Sequence, residues 1–494
     1  MELLGRKVIK IPVSKVEFNK NPKKFLEKYL STAIDEHREN VNEIQYIHNQ
    51  YLGKQDILTT KKRYDNSNIN NQIVENHIYK QVGFKVGFMY GNPLEYTIIN
   101  EQKIETDDLT YLNAYLGDVD KASLDIEKAQ DIYEFGIAYQ RIIPKRTKIE
   151  DLDSESPFEL VNMPIEKTCV VYSNDIPSEK LFGMVLNQKL NDDGQTEDFF
   201  QIFMPHKKYE LDKEYKVVDI KTQPYNYIPI VEFCLNKDRI GIVEVVLGLQ
   251  DLLNKINSSQ MDDIEENVNA FLVLFNQKTD EEFLETFRKL RKEKVLVLNT
   301  NNPQVPADVR MISSELDQSN VNIFYERVKK AMYDINSVPQ ASGNVTSGGD
   351  TGQARLLGNG WESAENQAQV DQTYLTRFER ELIKNMIWIC KNTEGCPLNE
   401  ISASDIAIKF NINMSNNLLV KAEALELLDR CNFPEKLNLT VCGITKDVDG
   451  FGKAWKENKE RVKKENEKFV EKQIEGKDNE PKPNKNKVTN NTEK

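Results

Sequence analysis

An α+β fold, organised as several units within one 494-residue chain, is predicted by three observations. Short β-branched and aromatic runs crowd into residues 157–235. Long stretches of apolar residues at helical spacing begin at about 248 and recur towards the C-terminal end. Between two of them, at about 268–312, sits a compact strand–helix–strand pattern. The length exceeds one ordinary domain and predicts two to four units.

Residues 21–100 read as mostly helical, with polar loops such as TTKKRYDNSNINNQ. In VGFKVGFMYGNPLEY (82–96) three glycines and Pro93 enter an apolar segment, which predicts a helix, a turn and then a strand. A further helix around 121–135 ends at Gly136, where a β-prone run starts. Five short runs then predict strands in a meandering sheet: 169–175, 181–188, 198–205, 215–220 and 227–233.

From Gly248 the character changes. Leu249, Leu252, Leu253 and Ile256 follow the i, i+3, i+4, i+7 spacing of an amphipathic helix. The pattern continues into the acidic patch Asp262, Asp263, Glu265 and Glu266. AFLVLFNQ (270–277), a charged helix at 280–292 and KVLVLNT (294–300) make up the strand–helix–strand module. A second amphipathic helix carries Val321, Phe324, Val328, Met332 and Ile335. The two helices form a neck leading out to the module and back, and their apolar stripes are expected to pack together, about 1.5–3 kcal/mol per buried aliphatic.

A glycine-rich loop follows, VPQASGNVTSGGDTGQARL (338–356), and then a helix over roughly 361–392, with Gly358 and Gly360 marking a kink or break before it. DIAIKFNINM (405–414) predicts a strand and 416–431 a helix. From 452 to 474 a Lys/Glu-rich helix has only Trp455, Val462 and Phe469 as a stripe, too thin to stand without a neighbour. The last nineteen residues hold one aliphatic, Val488, and are expected to be disordered.

Composition narrows the chemistry. A net charge of −13 argues against a protein that grips nucleic acid by neutralising phosphates, though not against one that lets it pass. Six cysteines contain no CxxC pair and predict free thiols, mostly buried. The four histidines are not at metal-ligand spacing, so no metal or cofactor is expected. No apolar run reaches the roughly 18 residues of a membrane span. The opening MELLGRKVIKIPVSK lacks a signal-peptide profile, which predicts a protein made and used in a cytoplasm.

Two constellations remain to be weighed. A phosphate-binding loop needs a preceding strand and a Lys-Ser/Thr pair; here a helix precedes the glycines, and no lysine lies between Lys330 and Lys384. The loop is then either an interdomain linker or a projection into a cavity. Over residues 338–352 it reaches out and back at most ~23 Å at roughly 3.3 Å per residue. The acidic patch suggests a two-metal nuclease, but four carboxylates within five helical residues point around more than one face, which favours a solvated or pore-facing surface.

The segment IPIVEFCLNKDRIGIVEVVLGLQDLLNKINSSQMDDIEENVNAFLVL (228–274) resembles the portal proteins of tailed bacteriophages, in the branch typified by long-tailed phages of Gram-positive hosts. Pro229, Glu232, Phe233, Asn236, Asn254, Ser258, Asp262 and Asp263 fit that pattern by position. Weaker matches at 86–96, 164–175 and the glycine loop follow in the same order. SGGDTGQA departs from the family's compact Ser-Gly-x-Ala by being longer.

The resemblance implies a portal-type fold: a mixed wing with a β-rich part, a helical stem, a small α/β clip, a long kinked helix and a helical crown. It places the wing at 1–245 and 354–414, stem helices at 246–267 and 313–337, the clip at 268–312, a tunnel loop at 338–353, the crown at 415–475 and a disordered tail at 476–494. It further implies a homo-oligomeric ring, twelve subunits as a rule, at one capsid vertex of the virion. Double-stranded DNA would pass through the ring without sequence specificity, along a tunnel loop containing Gly343, Asn344, Val345, Thr346, Ser347, Gly348, Gly349 and Asp350. Implied partners are the major capsid protein and scaffold, the terminase and a head–tail adaptor, with assembly in the host cytoplasm, no membrane and no catalysis. Twelve copies of a −13 chain would line a channel whose sign repels DNA, whereas a basic channel would stall it by counterion release. The rival from another class is a metal-dependent nuclease built on the acidic patch; the plainest alternative is a monomer in which 338–353 is a linker.

Overall fold

The computed structural model describes residues 5–60, 69–99, 107–152, 155–190, 195–268, 271–275, 308–312, 318–340 and 360–412, with short pieces at 304, 425–428, 430–431, 455–458 and 460–461. By its internal contacts the chain divides into Met1–Asn413 and Met414–Lys494. In the second unit the described pieces around 425–428 and 455–458 are helical.

The N-terminal part of the first unit is helical because polar caps and apolar spacing agree. Strand β1 (Lys10–Ile11) precedes α1 (Lys15–Lys20), capped by Ser14, whose side chain accepts from the Glu17 N–H. Asn21 then caps the 30-residue α2 (Pro22–Tyr51), with Pro22 in the first turn where its missing N–H costs nothing. After a short α3 (Ile57–Thr60), Asn76 caps α4 (His77–Tyr90), and β2 (Glu95–Ile98) follows. The helix–turn–strand expected at 82–96 is therefore present. Helices α5 (Asp108–Asp118) and α6 (Lys121–Phe135) lead to Gly136 at φ +80°, which ends α6 before β3 (Ile137–Pro144).

The β-rich part divides differently from the expected single meander. Strands β5 (Thr168–Ser173), β6 (Lys180–Leu190), β7 (Thr196–Met204), β8 (Lys207–Leu211) and β9 (Val217–Thr222) do meander, with β1 added in parallel beside β5. But β4 (Phe158–Met163) and β10 (Ile230–Cys234) leave it and flank β3 in a second sheet. All five residues of β10 are buried. Such a run lacks the alternation that would assign it to a half-exposed meander.

The six-stranded sheet is covered on both faces. Cys169, Val171, Met184 and Ile202 face the first half of α2, whereas Val170, Val185 and Phe203 face the main core. That alternation is the two-residue period of a strand.

Past Gly241, helix α7 (Ile242–Val268) runs out to β11 (Phe271–Phe275), which pairs antiparallel with β12 (Asp308–Ile312). The chain returns by α8 (Gln318–Ile335). The module's expected helix at 280–292 and strand at 294–300 lie outside the described residues; among those described, β11 has β12 as its partner. Helix α9 (Trp361–Lys391) is continuous, and Gly360, at φ +85°, caps its start rather than kinking it. Strand β13 (Ile406–Lys409) pairs with β2.

Candidate functional site: a neck held by a polar ladder

Helices α7 and α8 are antiparallel. Asn336 Nδ2 donates to the Ile242 carbonyl (3.1 Å) at one end, and Gln260 Nε2 donates to Asn322 Oδ1 (3.1 Å) towards the other. Val243, Val246 and Leu253 meet Val328 and Met332 in the main core. The predicted stripe of α8 is only half right. Val328 and Met332 are buried, but Phe324 and Ile335 are 47% and 53% exposed. At the level of the Gln260–Asn322 bond, Met261 and Ile264 of α7 and Ile323 and Phe324 of α8 leave apolar surface uncovered.

The root of the neck depends on close backbone approach. A Cβ on Gly241 would lie 2.1 Å from the Glu134 carbonyl oxygen, and one on Gly136 would lie 2.5 Å from Arg239 backbone atoms. No side chain fits at either position without moving backbone.

One face of α7 is unexpectedly polar and buried. Gln250, Asn254, Ser258 and Asp262 recur every fourth residue and are at most 3% exposed. Each receives a backbone N–H from the segment preceding α4. His77 N–H donates to Gln250 Oε1 (3.2 Å), Glu75 N–H to Asn254 Oδ1 (3.1 Å), Ile73 N–H to Ser258 Oγ (2.9 Å) and Asn71 N–H to Asp262 Oδ1 (2.7 Å). Gln250 Nε2 returns a bond to the Glu75 carbonyl (2.7 Å). The match is metric: four helical residues advance about 6.0 Å, and two extended residues advance about 6.6 Å. Residues 71–77 therefore satisfy alternate N–H groups on a helix instead of on a neighbouring strand.

At the foot of this ladder a second cluster closes on itself. His77 Nδ1 lies 3.1 Å from the Tyr333 hydroxyl, and its Nε2 lies 3.1 Å from Glu75 Oε1. The other Glu75 oxygen accepts from Tyr325 (2.5 Å) and Asn257 (2.9 Å). Burial pushes the His77 pKa down. Burial works to raise Glu75, but the Tyr325 hydrogen bond and the neighbouring histidine hold it below the usual carboxylate range.

The acidic patch is thus split. Asp262 is buried and takes two N–H groups of Asn71, the second from Nδ2 at 3.0 Å. Asp263 and Glu265 are half-buried. The solvated surface expected of all four does not include Asp262, and the Glu266 side chain lies outside the described residues. Among the described residues no group of three or more His, Cys, Asp or Glu side chains could hold a metal ion, and no helix is long and apolar enough to cross a membrane. The loop residues Gly343 to Asp350 also lie outside the described residues.

What sequence reading missed was the strap. The signal is present as the four-residue repeat Gln250, Asn254, Ser258, Asp262, of which Asn254 and Ser258 carry meaning in the sequence only through the resemblance and Asp262 also through the acidic patch. Its partner, INNQIVENH (69–77), reads as a polar loop.

Along the ladder Gln250, Asn254, Ser258 and Asp262 each accept a backbone N–H, an arrangement that holds the segment 71–77 against α7. Over residues 30–472 the chain matches the family described as phage portal protein, SPP1 Gp6-like. The chain belongs to the phage portal family. No curated protein matches it. Among solved structures it is similar to a chain in the neck of an empty GTA particle, computed with C6 symmetry, at 11% identity, covering 74% of this chain and 90% of that one with a TM-score of 0.41. A chain from the virion of a native gene transfer agent particle is similar at 11% identity, 74% and 89% coverage, with a TM-score of 0.38. Membership of the portal family rests on the family match, which spans the body, the neck and α9 together.

Proposed function

We propose that this portal-family chain is one subunit of a ring, twelve-fold as is usual for the family, that sits at a capsid vertex and conducts double-stranded DNA during packaging and ejection. The observation that carries the reading is the apolar band of Met261, Ile264, Ile323 and Phe324 on the neck. A monomer that buries its polar ladder so thoroughly has no reason to leave those four in water, whereas a ring covers them with neighbouring subunits. In this reading 246–267 and 313–337 are the stem, 268–312 is the clip that docks the terminase and then the head–tail adaptors, and 415–475 is the crown. The flanking parts form the wing, which meets capsid protein and scaffold. The glycine loop at 338–353 lies along the DNA, and ATP hydrolysis belongs to a partner. The chain assembles in the host cytoplasm and ends in the virion. The nuclease alternative is weakened by Asp262, whose carboxylate is committed to Asn71.

Light scattering, followed by negative-stain images of the same peak, tests the reading. A ring of about twelve 57.1 kDa subunits with a central hole is expected. Ile323→Ser with Phe324→Ser should shift the mass towards single subunits. A wild-type chain that stays monomeric in isolation and in assembled particles would overturn the ring. Deleting 343–352 should leave the ring intact and abolish packaging in vitro; normal packaging would remove the loop from the DNA path.

A further inference from the structure

A cleft of about 730 Å³ opens on the body, between the N-terminal strand, the turn before β6, the turn after β10 and the outer side of α9. Its walls carry the aromatic rings of Tyr172, Tyr374 and Phe378, and it is basic. The lining holds six lysines and arginines against three glutamates, in a chain of net charge −13. All three glutamates are already matched: Glu179 with Lys15 (3.1 Å), Glu232 with Arg239 (2.7 Å) and Glu381 with Lys180 (2.7 Å). Lys10, Lys237 and Arg377 are left exposed, and among the described residues no carboxylate lies within bridging distance of any of them.

The same sheet that borders the cleft also sends out a projection. Beyond Leu186, β6 pairs only with β7: Asn187 with Phe199, Gln188 with Asp198, Lys189 with Glu197 and Leu190 with Thr196. Pairing with β5 ends at Val185 and pairing with β8 at Phe200, so among the described residues no strand flanks this ribbon. Leu190 is 73% exposed, and Asp198 is exposed beside it. The described residues of the ribbon carry two carboxylates, Glu197 and Asp198, against one lysine, Lys189. Among the described residues Glu197 bridges to exposed Lys213 alone, at 3.5 Å, a pair worth little. A two-stranded ribbon is marginal alone and gains stability from something packed against it.

We infer that the ribbon of one copy of this chain docks in the basic cleft of the next, entering between its walls with Asp198 and Leu190 on one face and Glu197 on the other, the carboxylates meeting Lys237, Arg377 and Lys10 and Leu190 meeting the aromatic rings. Lys180, at the start of β6, lines the cleft, and Leu190 ends the same strand about 33 Å away, at roughly 3.3 Å per residue. Knob and hole thus sit at opposite ends of one rigid strand. Contacts between unlike patches of identical chains propagate head to tail and close into rings, which contacts between like patches cannot do.

The inference rests on the ring reading, and charge reversal with rescue separates the two. Lys237→Glu with Arg377→Glu, and separately Glu197→Lys with Asp198→Lys, should each lower the ring fraction at least ten-fold in light scattering, with thermal melts of the subunit unchanged. Mixing the two variant chains restores complementary charge at every contact and should restore rings containing both. Rings at wild-type yield from either variant alone, or a loss that mixing fails to rescue, would overturn the docking while leaving the ring in place. If the cleft variant assembles normally but loses binding to a short DNA duplex, the cleft is a nucleic-acid surface and the inference is wrong. A wild-type chain that forms no ring sinks the reading and the docking together.

Discussion

The body and the neck both bury polar groups, but by opposite means. In the body, α6 and α9 are joined by charges. Lys121 meets both Asp125 (2.7 Å) and Glu379 (3.2 Å), and Lys128 meets Asp125 (2.7 Å) and, at very close range, Glu379. Two lysines balance two carboxylates, and the Lys128 ammonium also lies 4.2 Å from the centre of the Phe233 ring. In the neck the ladder is mostly neutral, side-chain amides and a hydroxyl accepting backbone N–H groups, with one carboxylate at its far end. The charge network gives little net stability, because desolvation consumes most of the Coulombic gain, but it is costly to break. The ladder is weaker per rung and tolerates the loss of one. The body is thus locked as a unit, while the neck is held at its root and leaves apolar surface uncovered.

The sharpest way to break the comparison is Glu379→Ala. It leaves two buried ammoniums, Lys121 and Lys128 (3% and 1% exposed), sharing the single carboxylate of Asp125. A loss of about 3–5 kcal/mol is expected, as for other buried pairs cut on one side, read as a large fall in the melting temperature of the body. Glu379→Gln keeps an acceptor and should fall less. If the two variants melt together near wild type, the network is not what joins α9 to α6.

The neck should respond less. Asp262→Ala takes its acceptor from the half-buried Asn71 N–H, at an expected cost of about 1 kcal/mol. The effect should be local: faster hydrogen exchange at the amides of Asn71 and Ile73, with His77 still protected by Gln250. Exchange that rises equally along residues 71–77 would mean that the strap opens as one piece, and that the rungs are not independent.

Much of this was legible beforehand, and the divisions follow physical lines. Local rules located α6 ending at Gly136, the turn before β2, the amphipathic α7 and α8, and α9, because caps, glycine and periodicity act over a few residues. The second sheet was not legible, because β10 pairs with β3 across some ninety residues, and a fully buried run carries no facing signal. The acidic patch was misjudged at Asp262 for a related reason. A carboxylate on a helix reads as solvent-facing until its partner is known, and that partner sits 191 residues earlier in a polar loop. Uncovered Phe324 and Ile335 look, in sequence, like the rest of a buried stripe. Periodicity reports which face is apolar, not which molecule covers it.

The smallest expected effect sharpens the contrast within α6 itself. The face towards α9 balances its charges; the other face does not. There Asp131 is half-buried among Glu134, Glu166 and Glu127, and burial, reinforced by those carboxylates, pushes its pKa up to about 7. A folded-state pKa above the unfolded one means that the folded chain holds the proton more tightly. The resulting stability is fully present below the unfolded value of about 4 and is lost as pH rises through 7. Asp131→Asn removes this dependence. The variant should melt close to wild type at pH 4 and above it at pH 8, by on the order of 1 kcal/mol once solvent screening at a half-buried position is allowed for. A gap between variant and wild type that stays constant from pH 4 to pH 8 would show that Asp131 does not titrate in this range, and that the outer face of α6 is as well balanced as the inner one.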